Sequence, residues 1–163
     1  MIREIVLGEI RAFVAAQDYA GKRVLDFGCG VAPYREIVES GGGEWVGYNR
    51  GFFPGGSTED VGPSEPLEQT WDVILCNQVI QYVENPPTLL AYFLASLSPD
   101  GTLILTYPTC WPEVEESDLF RFTRSGMEHL LSEWRIIDHV QIGAVPFEHL
   151  ERLPLIQGVV AKP

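Results

Sequence analysis

The chain reads as an α/β protein built on a doubly wound, mostly parallel sheet. Three observations predict this. Residues Val24 to Tyr34 pass from an apolar β-branched run ending in an acid, through Gly28-Cys29-Gly30, into a helix-like segment: strand, tight turn, helix. Further short apolar runs alternate with segments of helical period. Turn-forming clusters such as Ser98-Pro99-Asp100-Gly101 separate them. In such sheets ligands bind beyond the carboxyl ends of the strands, where the strand order reverses.

Each element follows in order. Ile2, Ile5, Val6, Ile10, Phe13 and Val14 have helical spacing, so an amphipathic helix spans 2–16. Arg23 to Phe27 is the first strand. Pro33 suits the first turn of a short helix over 33–40, which Gly41-Gly42-Gly43 ends. Glu44 to Tyr48 is the second strand. Residues 49–71, rich in glycine and proline, read as loop, with a short strand near Ser57 to Val61. Asp72 to Cys76 is a buried strand. Thr88 to Leu97 is a helix with Leu89, Leu90, Phe93, Leu94 and Leu97 on one broad face. After the 98–101 turn comes the strand Thr102 to Thr106. Residues 107–122 form a second long irregular segment. Ser125-x-x-Glu128 reads as a capping box opening a helix through Leu131. Strands over 135–141 and 156–161 complete the pattern. The two long loops follow strand carboxyl ends and make natural walls for a site.

Composition narrows the function classes. At 163 residues, one domain with a sizeable core is expected. With 23 acids against 11 bases, the net charge of −12 argues against a general nucleic-acid binder. No apolar run reaches membrane-spanning length, and no basic-plus-apolar leader opens the chain. Cys29, Cys76 and Cys110 are widely spaced, without a Cys-x-x-Cys pattern. A reducing cytoplasm without structural disulfides is the expectation. His129, His139 and His149 are ten apart, a spacing that defines no metal geometry.

The glycine turn carries the chemistry. A side chain at Gly28 or Gly30 would keep a ligand from the backbone, and the turn aims helix N-terminal amides at whatever sits there. The bland alternative is a strand-to-helix turn with no ligand. A dinucleotide is disfavoured, because the third glycine of that fingerprint is absent and Pro33 stands nearby. Asp118 is the candidate general base or substrate contact; its alternative is an ion pair with Arg121 or Arg124. Glu113, Glu115, Glu116 and Asp118 make an acidic loop, either a solvated face or a gate for neutral or cationic substrates. Trp111, in that loop, is placed to line a substrate pocket, whereas Trp45, Trp71 and Trp134 read as packing anchors.

Four stretches in register make the chain resemble the class I S-adenosylmethionine-dependent methyltransferases, in their small, type-11-like branch. Val24-Leu-Asp-Phe-Gly-Cys-Gly30 is similar to the family's first, cofactor-binding motif. Trp71 to Pro86 resembles its fourth-strand motif, and Leu97 to Thr106 the turn and strand that follow. Asp118-Leu-Phe-Arg-Phe-Thr123 resembles a segment of the branch. The resemblance implies a Rossmann-like sheet of about seven strands, the last antiparallel, abbreviated here between strands two and four. It implies S-adenosylmethionine as cofactor. The turn Asp26, Phe27, Gly28, Cys29 and Gly30 would take the methionine end. Asn49 would stand at the ribose, and Tyr48 before it is counted among the cofactor-binding residues. Glu59 or Asp60 would reach the adenine amino group, and Asn77 and Gln78 would border the methyl.

The sequence departs from the family pattern at three places. Asn49 stands where a ribose-gripping acid is usual, 21 residues after Gly28. An amide offers one acceptor oxygen and loses the charge-assisted pair. The stretch between strands two and three is short, so its usual helix is lost. Gln81-Tyr82 stands for Glu-His, and Ser117 for a His before Asp118. Two readings follow: a methyltransferase acting on oxygen or nitrogen of a small molecule, such as a sugar, or a degenerate member serving as a binding or scaffolding subunit. The second brings in a protein partner; a second copy of the chain is equally open.

Overall fold

The computed structural model describes residues 2–49, 69–113, 116–147 and 150–163. Six strands form one sheet: β1 (Arg23–Phe27), β2 (Glu44–Tyr48), β3 (Trp71–Asn77), β4 (Leu97–Pro108), β5 (Arg135–Phe147) and β6 (Leu150–Lys162). Their order is β2-β1-β3-β4-β6-β5. β1 pairs parallel with β2 and β3, and β3 with β4. The last strand, β6, runs antiparallel to both β4 and β5. The order reverses between β1 and β3, which sets the switch-point crevice at the ends of Phe27 and Asn77. Against about seven expected strands, six occur among the described residues; the strand expected near 57–61 lies outside them.

Helices cover both faces. On one, α1 (Ile2–Ala15) and α2 (Arg35–Ser40) pack with Val24, Val73, Leu75 and Ile104. Val6, Ile10 and Val14 recur every four residues and are buried, each worth roughly 1.5–3 kcal/mol. Two glycines let α1 lie close. A methyl on Gly143 would come within 2.5 Å of Val6 Cγ2, and one on Gly158 within 2.8 Å of the Phe13 ring. On the other face, α3 (Pro86–Ser96) and α4 (Arg124–Leu130) enclose Trp71, Phe93, Leu105, Tyr107, Met127 and Trp134.

Several boundaries differ from the sequence expectation: α2 starts at Arg35, β5 runs on to Phe147 and β6 starts at Leu150. α3 begins two residues early, because Asn85 Oδ1 accepts from Thr88 N at 3.1 Å and prolines fill the first helical positions. α4 is capped by Thr123, whose Oγ1 accepts from Gly126 N at 3.0 Å, and not by Ser125. The 98–101 turn is an irregularity inside β4, between the pairs Trp71–Leu97 and Val73–Thr102. There Ser98 Oγ donates to Asp72 Oδ1 at 3.2 Å.

Candidate active site

The turn after β1 is held from β2. Gly28 N and Cys29 N both donate to Tyr48 O, at 2.7 and 3.2 Å. Gly28 (φ +76°) and Gly30 (φ +55°) adopt conformations that favour glycine. Their surroundings differ. A methyl on Gly28 would sit 2.4 Å from Val79 Cγ2, so that glycine admits a neighbouring side chain. A methyl on Gly30 would meet nothing within 4 Å among the described residues. Of the two glycines, Gly30 is the one whose described surroundings leave room for a ligand. Beside it, Asn49 Oδ1 accepts from Gly30 N at 3.4 Å, and Asn49 Nδ2 donates to Gly30 O at 3.5 Å. Both contacts are at the outer limit for a hydrogen bond, so a ligand hydroxyl can displace them.

Asp26 is only 1% exposed. It meets the Trp45 indole, whose Nε1 donates to Oδ2 at 3.2 Å. Burial pushes its carboxyl up to about 7, against a lowering by the Trp45 hydrogen bond. Phe27 stacks on Tyr48 with centroids 5.2 Å apart and meets Phe93 edge-on at 5.1 Å. Cys29 is buried. Asp60, expected at the adenine, lies outside the described residues.

β3 ends on a polar bend. Asn77 is buried, and neither of its amide atoms has a hydrogen-bond partner among the described residues. Orphaned groups of this kind are rare and mark a place where something polar is missing. Gln78 has φ +58°, uncommon outside glycine. Thr106 holds it there: Gln78 N donates to Thr106 O at 3.0 Å, and Gln78 Nε2 to Thr106 Oγ1 at 3.2 Å. The bend turns the chain into a single 3-10 turn, Ile80–Tyr82, where Gln81 Nε2 donates back to Gln78 O at 2.9 Å.

A cavity of about 270 Å³ adjoins this bend, lined by Val6 and Leu7 of α1, by Gln78, Gln81 and Tyr82, and by Trp111 and the Asp118–Arg121 pair. Asp118 is buried, and both its oxygens take Arg121, at 2.5 and 2.6 Å. The pair holds Arg121 charged, its pKa raised mainly by the Asp118 hydrogen bond. Leu119 N donates to Gln81 O at 2.9 Å, which ties the loop to the bend. Sequence reasoning placed Asp118, Gln78 and Trp111 here. It named an ion pair of Asp118 with Arg121 or Arg124 as the alternative to a base, and the pair is with Arg121; it missed Arg121 as the organiser of the loop. It also missed Trp45 as the partner of Asp26.

No group of three metal-ligating side chains occurs among the described residues, and none of their helices is long and apolar enough to cross a membrane. The open approach at Gly30, the orphaned Asn77 amide and the crevice between β1 and β3 fit the nucleotide cofactor implied by the sequence resemblance. Gly30 and Asn49 would hold its near end, and Asn77 and Gln78 would border its reacting end.

The family model described as a methyltransferase domain matches residues 2–153, and the chain belongs to that family. No curated protein sequence matches. Solved structures share the fold. A methyltransferase from Haloferax volcanii, in complex with the activator Trm112, superposes with a TM-score of 0.74 at 14% identity, covering 99% of this chain and 90% of that one. The 1,6-didemethyltoxoflavin-N1-methyltransferase of Burkholderia thailandensis, with its substrate and S-adenosylhomocysteine bound, gives 0.65 at 17% identity, covering 99% and 77%. Mitomycin 7-O-methyltransferase gives 0.69 at 16%; this chain is covered over 98% but spans 54% of that longer one.

Proposed function

We propose that this chain, as one domain, transfers a methyl group from S-adenosylmethionine to an oxygen or nitrogen of a small-molecule acceptor. The observation that carries the reading is the place of Gln78, which follows the last residue of β3 at the switch in strand order and lines the cavity under α1. The cofactor supplies an electrophilic methyl on a sulfonium. The protein's part is placement. Gly30 admits the cofactor to the backbone, Asn77 and Gln78 border its reacting end, and Val6, Leu7 and Trp111 offer an apolar seat for the acceptor. Holding two reactants in line supplies much of the rate without further activation.

The test is transfer of labelled methyl from S-adenosylmethionine to a panel of small phenols and amines. Label in any product supports the reading, and label in none opposes it. Asn49 in place of an acid favours a second reading, a subunit that keeps the fold and lends it to a protein partner. A chain that binds neither S-adenosylmethionine nor S-adenosylhomocysteine would select that reading.

A further inference from the structure

Arg121 carries five N–H donors in a fixed planar fork. Every one is used inside its own loop. Nε donates to Trp111 O at 2.7 Å. Nη1 donates to Asp118 Oδ1 at 2.5 Å and to Phe120 O at 2.7 Å. Nη2 donates to Pro112 O at 2.9 Å and to Asp118 Oδ2 at 2.6 Å. One side chain therefore gathers both limbs of the loop and fixes the backbone that carries Trp111. Asp118 is the buried member, and the partly exposed Arg121 guanidinium is the counter-ion that makes burying its carboxylate tolerable. A carboxylate with both oxygens bound to a cation is a weak proton acceptor, because taking a proton would break the pair. The cavity's other polar groups among the described residues are Gln78, Gln81, Tyr82 and Arg3, none a carboxylate or an imidazole.

We propose that Arg121 is the positioning residue of the acceptor cleft, and that Asp118 serves this clamp and removes no proton. The acceptor is then a molecule whose reacting atom needs no base at neutral pH. A neutral amine, a ring nitrogen or an acidic phenol qualifies, and a sugar hydroxyl does not. This rests on the methyltransferase reading. In the step itself, the acceptor's lone pair forms the new bond to the methyl carbon as the carbon–sulfur bond breaks. That bond's electron pair returns to sulfur. A phenolate has no proton left to lose, and an amine releases its surplus proton to water.

The experiment compares wild type with Asp118→Asn, Arg121→Lys, Arg121→Met and the double variant Asp118→Asn/Arg121→Met. The double variant leaves no buried charge unpaired and guards against simple misfolding. Chymotryptic cleavage within 109–122 is read together with affinity for S-adenosylhomocysteine. We expect cleavage at least about tenfold faster without the guanidinium, since proteolysis tracks the open population. We also expect partial rescue by lysine and little change in S-adenosylhomocysteine affinity. Cleavage unchanged in both arginine-to-methionine variants overturns the clamp. Methyl transfer is then measured to 4-nitrophenol, aniline and benzyl alcohol. Transfer to the first two alone, with Asp118→Asn raising KM more than it lowers kcat, supports the acceptor class. Transfer to benzyl alcohol or to none of the three overturns it, as does a kcat loss of roughly a hundredfold or more in Asp118→Asn, the size of a lost general base. Failure of wild type to bind S-adenosylhomocysteine would count against the methyltransferase reading, while the cleavage result would still decide the clamp.

Discussion

Trp45 reaches Asp26 by lying across Gly47. Asp26 pairs with Gly47 between β1 and β2, and Trp45 is two residues earlier on the same face. The missing side chain at Gly47 leaves the path along which the indole Nε1 meets Asp26 Oδ2 at 3.2 Å. The arrangement sits directly beneath the glycine turn, so it links the sheet's packing to the mouth of the site.

Gly47→Ala is therefore expected to destabilise the fold by roughly 1–3 kcal/mol, the usual cost of overpacking. The added methyl would lie 2.4 Å from Trp45 Cη2 and 2.9 Å from Cys29 Sγ. Urea unfolding measures this, and an unchanged midpoint would contradict it.

Asp26 predicts a pH dependence. Its carboxyl moves from the ordinary 3.8 up to about 7 in the native state, chiefly through burial. Below the ordinary value both states hold the proton and nothing changes. Between the two values the native state binds more protons than the unfolded one, so this group makes stability fall as pH rises. Above about 7 the loss is complete, on the order of a few kcal/mol. Asp26→Asn keeps an oxygen for the indole and removes the titration. Thermal unfolding at pH 5 and pH 8 should show a smaller difference in the variant than in wild type. Equal differences would refute the assignment.

Gly30 meets no described residue within 4 Å of an added methyl, so its replacement separates binding from folding. Gly30→Ala should cost about 1–2 kcal/mol for the left-handed backbone. It should also weaken S-adenosylhomocysteine binding by more than that cost explains. Stability lost with affinity intact would show that the turn does not contact the cofactor.

Asn49→Asp tests the missing acid. A bond regained to a charged partner is worth roughly 1 to 3 kcal/mol. Affinity for S-adenosylhomocysteine should rise about 5- to 150-fold. No gain would place the ribose away from position 49.

Local pattern was legible where local forces decide. β1 and β2 span Arg23–Phe27 and Glu44–Tyr48 as the sequence predicts, each entered shortly after a glycine. The start of α4 was not, because Thr123 and Ser125 both offer a cap and the rule favoured the one followed three residues on by Glu128, which lies inside the helix. In the folded chain Glu128 Oε1 is taken by Arg124 Nε at 2.8 Å and by His139 Nδ1 at 3.2 Å, so Thr123 caps alone. His139 in turn meets Tyr107 Oη through Nε2 at 2.6 Å. Such chains of contact join α4, β5 and β4 and depend on register that no short window contains. The same holds for Trp45 on Asp26. The Asp118–Arg121 pair was visible as a spacing of three. Arg121's use of all five donors was not, since it depends on the path of the whole loop.

The most direct test of the account is calorimetric titration of the purified chain with S-adenosylhomocysteine. Saturable binding at micromolar levels, roughly −8 kcal/mol, weakened by Gly30→Ala, is the expected result. No heat up to millimolar ligand would contradict it.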